Sequence, residues 1–137
     1  MKIFLKLILP LVYSTFHAQH SFSSHQTHAF DLTQNKIISS QNQTQTFNIS
    51  FSDSLLIHNK FNDEYHIVDS QIYKITDISE QEKMTLFSAR SGISGNTYGY
   101  VISFEETETL LMQLFPEENS MLIFDGEHSR LKPFNQP

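Results

Sequence analysis

The chain has no cysteine and no tryptophan, only four glycines and four prolines, and nine Lys and Arg against 15 Asp and Glu in 137 residues. Without cysteine there is no disulfide, thiol nucleophile or zinc–thiolate centre, and no lipid can be attached through a cysteine behind a leader. Stability must then rest on packing and backbone hydrogen bonds. The shortage of cations argues against nucleic acid and anionic membrane surfaces as partners, because both are held chiefly by Lys and Arg. No glycine-rich loop of the kind that cradles phosphate occurs.

What is present begins with an export signal. Lys2 and Lys6 give a basic start to a short apolar run from Ile3 to Tyr13, below the ~20 residues that span a bilayer. Ala18 is small enough to precede the cut, so residues 1–18 are expected to be removed and the mature chain to start at Gln19, exported to the periplasm or beyond, with no stable membrane anchor. Removing 18 of 137 residues leaves 119, enough for one domain with a core rich in phenylalanine. Two of the nine cations and none of the 15 acids lie in the leader, so the remainder carries seven against 15, a formal charge of −8.

Residues 19–29 are polar, rich in Ser and His and without period, and are expected to be a flexible lead-in. Residues 30–137 then form a single β domain. Apolar residues alternate in short runs separated by turn-forming clusters at the spacing of an all-β meander. In 46–51 the residues Phe47, Ile49 and Phe51 share one face, and in 97–104 Tyr98, Tyr100, Ile102 and Phe104 do. Weaker runs at 36–39, 55–58, 64–68, 71–76, 84–89, 110–115 and 121–124 bring the total to eight or nine antiparallel strands. Asn59–Asp63, Ser91–Asn96, Pro116–Asn119 and Asp125-Gly126 supply turns. A sheet of this size curls or closes to deal with its edges. Ser79-Glu80-Gln81-Glu82 has a capping-box pattern, and 105–115 ends at Pro116, so a helix at 80–90 or 105–115 is the rival reading.

The signal ending at Ala18-Gln19, the Phe30-Asp31 lead, the strand Phe47–Phe51 and the close at Met121–Gly126 resemble small exported proteins of unknown function from flavobacteria and their relatives. The strand rhythm over residues 30–134 is also similar to lipocalin-type up-and-down β meanders, without their Gly-x-Trp signature. That resemblance implies a curled sheet or small barrel with a small apolar ligand at its mouth.

Candidate chemistry is sparse. His20, His25 and His28 are suitable ligands for zinc, copper or nickel, but a flexible segment sets no geometry, and no metal site is assigned to them. His58 and His66 flank the Asn59–Asp63 turn, with Asp53, Asp63, Glu64 and Asp69 nearby. A carboxylate–imidazole site across that hairpin competes with simple exposure. Ser94 in Gly92-Ile93-Ser94-Gly95 lacks the strand-to-helix elbow of a reactive serine. Glu105, Glu106, Glu108, Glu117 and Glu118 read as a solvated rim. Tyr98 and Tyr100 around Gly99 are the ligand-binding candidates, against a reading as half-buried core beside a bulge. The expectation is a secreted, non-enzymatic β domain that binds a small ligand or an envelope component, with no cofactor implied. The alternative is a structural or inhibitory protein-interaction module that uses a sheet edge or an aromatic face.

Overall fold

The computed structural model describes residues 19–104 and 109–131; the expected leader lies outside them. Eight antiparallel strands follow one another up and down: β1 (Gln19–Asp31), β2 (Lys36–Ser50), β3 (Leu55–Phe61), β4 (Ile67–Glu80), β5 (Met84–Ser91), β6 (Thr97–Phe104), β7 (Thr109–Phe115) and β8 (Ser120–Leu131). Each pairs with the next, and β1 pairs with β8, so the sheet closes into a barrel. Eight strands enclose an interior about wide enough for side chains to fill it.

The alternation expected of the chain is what fills it. Phe22, Phe47, Ile49, Leu56, Ile102 and Leu111 are all essentially inaccessible to solvent, and Phe87, Tyr100 and Phe124 join them. Phe47 stacks on the imidazole of His58 at 4.1 Å, and Phe87 stacks on Tyr100 at 5.0 Å. Both rival helices resolve as strands where residues are described: 84–91 is β5 and 109–115 is β7, with helix confined to one 3-10 turn at Pro116–Glu118.

Several boundaries differ from expectation. Residues 19–29 are not a lead-in but most of β1, the strand that closes the barrel between β2 and β8. Its inward set is His20, Phe22 and Ser24, then a register shift between Ser24 and Gln26 leaves His25 outside. With one large apolar residue in that set, the segment has no visible hydrophobic period. The runs at 36–39 and 46–50 are parts of one 15-residue strand, with Phe51 in the turn that follows, and 71–76 belongs to a 14-residue β4. Asp125-Gly126 is not a turn. It lies inside β8 opposite the β1 shift, where Ser24 Oγ donates to the carbonyls of Asp125 (2.8 Å) and Gln26 (3.0 Å). A Cβ on Gly126 would collide with the Ser23 carbonyl, so glycine there serves close backbone approach.

The turns follow local chemistry. Asp31 Oδ1 accepts from the backbone N–H of Thr33 and Gln34, Asn62 Oδ1 from Glu64 and His66, and Ser91 Oγ from Ile93 and Ser94. Asn35, Ser54, Tyr65, Gly95 and Asn119 take the left-handed conformation, one in each of five hairpin turns. The turns β1–β2, β3–β4, β5–β6 and β7–β8 all gather at one end of the barrel, called the upper end below.

Candidate functional site

The upper end opens into a hollow of about 300 Å³, at the small end of the roughly 300–1,000 Å³ typical of small-molecule sites. Period 2 along β2 places Gln41, Gln43 and Gln45 on its wall. β3 adds His58 and Lys60, β4 adds Gln71 and Tyr73, and Tyr98 and Gln113 complete it from β6 and β7. Phe115, Leu122 and Phe124 give it an apolar side. A larger trough of about 670 Å³ lies outside the wall, where the β5–β6 turn leans on β4. Lys74, Arg90 and Asp53 border it, and its buried polar side chain, Ser91, is engaged by the turn itself, its Oγ accepting from the Ile93 and Ser94 N–H.

The mouth is held by a hydrogen-bond network. Gln45 Nε2 donates to Thr27 Oγ1 at 2.8 Å, which leaves its Oε1 to accept from His58 Nε2, also at 2.8 Å. An amide oxygen can only accept, so this pairing puts the neutral histidine's proton on Nε2 and leaves Nδ1 as an acceptor. Burial pulls the His58 pKa down to about 4. Lys60 adds to that effect and Asp69 opposes it. The imidazole is therefore neutral at physiological pH. On the neighbouring strand β4, where Gln71 pairs in register with His58, Tyr73 donates to Gln71 Oε1 at 2.6 Å and Gln71 Nε2 donates to Asp69 at 3.2 Å. Gln113 Nε2 donates to the Tyr100 hydroxyl at 3.1 Å. Burial raises the Tyr100 phenol well above its ordinary range, helped by Tyr73 and Tyr98. It raises Tyr73 as well, so the phenols stay protonated.

Lys60 and Asp69 face each other in register across β3 and β4. Lys60 is the one cation among the lining residues, and neither Asp nor Glu is among them. Below the amides the barrel is closed off by Phe47, Phe124 and Tyr100, which are almost fully buried. The mouth is thus a shallow, largely neutral cup with an aromatic floor.

Comparisons with protein-family models, curated proteins and solved structures return no match. The site has to be read from its own residues.

The structure separates the two tyrosine candidates. Tyr98 is half-buried at the mouth, between edge contacts to Tyr73 (6.3 Å) and Phe115 (5.8 Å). Tyr100 is 1% exposed and belongs to the core beneath. The histidine pair is also split. His58 points into the mouth, whereas His66 sits exposed in the β3–β4 turn, 3.8 Å from an equally exposed Glu64. His20 is buried edge-on to Phe51, His25 lies outside near Thr44, and His28 Nδ1 lies 2.7 Å from Ser40 Oγ. Among the described residues no three His, Asp or Glu side chains are grouped to hold a metal ion. Ser94 is an exposed turn residue whose Oγ accepts from the Asn96 N–H. Glu105, Glu106 and Glu108 lie outside the described residues, and Glu117 and Glu118 are exposed in the 3-10 turn.

The glutamines are what sequence reading missed. Gln41-Asn42-Gln43-Thr44-Gln45 alternates an amide with another small polar residue, and only the odd positions line the hollow. The regular Gln-x-Gln-x-Gln spacing, continuing into Phe47, Ile49 and Phe51, was the available signal: one face of a strand passing from polar to apolar.

Proposed function

We propose that this is an exported, non-enzymatic barrel that binds a small ligand at its upper mouth. The observation carrying this reading is the preformed cup itself. Residues from β2, β3, β4, β6 and β7 converge on it, and the polar atoms already hold one another in place through the Gln45–His58 and Tyr73–Gln71 pairs. Convergent polar groups over an apolar floor are the usual make-up of a small-molecule site. His58 is neutral and tied to an amide, and Thr27, the one aliphatic hydroxyl of the lining, is bonded to Gln45. Such an arrangement supplies recognition without a nucleophile paired to a base. Export is supported by the leader pattern, and the eight described strands all lie beyond it, within residues 19–131.

The test is to recover the processed protein from its exporting source and examine it by native mass spectrometry. A small molecule carried by the wild type and by Ser94→Ala, but lost from Tyr98→Ala and Gln45→Ala, is the expected result. A ligand retained by both mouth variants places binding elsewhere.

A second reading has one observation in its favour. β2 pairs with β3 only over Gln45–Ser50, so among the described residues its segment 36–44 has no neighbour on that side, and Ile37 and Ile38 are exposed there. Such an edge accepts an added strand from an extended peptide of a protein partner. Cross-linking from residue 40 to a partner, abolished by Ser39→Pro, would favour this module over the ligand cup.

A further inference from the structure

We infer that the occupant of the mouth is a neutral polyhydroxylated molecule of one or two rings, that is, a small carbohydrate; this rests on the ligand-binding reading above and names its chemical class. Gln41, Gln43, Gln45, Gln71 and Gln113 all line a hollow of about 300 Å³. A side-chain amide offers two N–H donors and a carbonyl with two lone pairs, so it complements a hydroxyl, which is both donor and acceptor. The described bonds use only part of this capacity. Gln45 spends one N–H on Thr27 and accepts one bond from His58, Gln71 spends one on Asp69 and accepts one from Tyr73, and Gln113 spends one on Tyr100. Each keeps a donor and a lone pair in an orientation already set by its existing partner; Gln45 and Gln113 are almost buried at the base of the hollow, and Gln71, with Gln41 and Gln43, is the more open.

Other ligand classes fit less well. A carboxylate or phosphate would need cations, and Lys60 alone is available, with Asp69 directly opposite it in register. An amine would need acids, and none lines the hollow. Bringing a charge into such a neutral cup removes its water without supplying a counter-charge. A long apolar chain would need depth, and Phe22, Phe47, Phe124 and Tyr100 fill the barrel below the amides. A pyranose needs neither charge nor depth. It needs hydroxyl partners around its edge and a flat apolar surface for its C–H face, and Tyr98, braced by Tyr73 and Phe115, supplies such a ring at the mouth.

The experiment titrates three panels into the exported protein, followed by amide chemical shifts and calorimetry. The panels are neutral sugars (glucose, galactose, mannose, N-acetylglucosamine and their disaccharides), charged sugars (glucuronate, glucosamine), and laurate as the apolar probe. The expected result is saturable binding of at least one neutral sugar, with shifts at Gln45, Gln71 and Tyr98. Its affinity should be independent of salt, roughly tenfold or more weaker in Tyr98→Ala, and largely kept in Tyr98→Phe, whose melting temperature checks that the fold survives. Binding confined to a charged sugar and weakened by salt overturns the neutral class while leaving the mouth as the site. Laurate binding with shifts at the same residues does likewise. Shifts from none of the three panels at the mouth remove both the carbohydrate and the ligand-binding reading.

Discussion

The lower and upper halves of the barrel interior are built from the same strands and differ in what those strands present. Below, Phe22, Phe47, Ile49, Leu56, Ile102 and Leu111 pack to complete exclusion of solvent. Above, the inward positions of β2, β3, β4 and β7 become Gln45, His58, Gln71 and Gln113, and the wall opens into a hollow. The boundary falls within single strands: β2 passes from Gln45 to Phe47 and β3 from Leu56 to His58, two residues apart on one face. Stability and recognition are thereby divided along the barrel axis. The lower half gains from burial and tolerates no gap, whereas the upper half buries Gln45, His58 and Gln113 as hydrogen-bonded polar groups and leaves Gln41, Gln43 and Gln71 open to solvent around them. His58 joins the two, stacked on Phe47 below and bonded to Gln45 above.

That division predicts a graded response to mutation. Phe47→Ala empties the contact between Phe22, His58 and Phe124 and should cost ~3–5 kcal/mol. Urea denaturation measures it, and a loss no greater than that of Tyr98→Ala at the mouth would break the comparison.

The junction should respond to pH. His58 titrates near 4 when folded and near ~6.5 when unfolded. Between these values the unfolded chain binds the extra proton, so the stabilisation is complete above the unfolded pKa and is lost as pH falls towards 4. The loss by about pH 4.5 should be on the order of 2–3 kcal/mol. Denaturation of wild type and His58→Gln at both ends of this window isolates it, since the variant should lack that share of the acid sensitivity.

Within the upper half, Gln45→Ala strands Thr27 and the buried His58 Nε2–H and should cost about 1–3 kcal/mol. Gln41→Ala, at the exposed rim, should stay within roughly ±0.5 kcal/mol. Equal effects from the two would mean that the network does not organise the mouth. The smallest effects belong outside the barrel: Ser94→Ala and His66→Ala should change the melting temperature little and the contents of the mouth not at all.

The alternation in 46–51 and 97–104 announces strands because side-chain direction repeats every two residues, a local property that survives without knowledge of the fold. Turn residues such as Asp31, Asn62 and Ser91 are equally local, since their side chains bond backbone two to four residues on. An antiparallel β meander that curls or closes therefore follows from the chain alone. The inward setting of Tyr98 and Tyr100 follows too, but not their different depths.

Tertiary structure decided the rest. β1 has little hydrophobic pattern of its own and becomes a strand because β2 and β8 each offer it a long edge, leaving its backbone groups paired on both sides. Gly126 reads as a turn residue and instead lies where two closing strands press together. The mouth is likewise non-local: Gln45, His58, Gln71, Tyr98 and Gln113 stand on five strands, and none of them signals a site alone. Closure and register bring them to one level of one cavity. Sequence period determines which way a side chain points, and only barrel closure determines which other side chains it meets there.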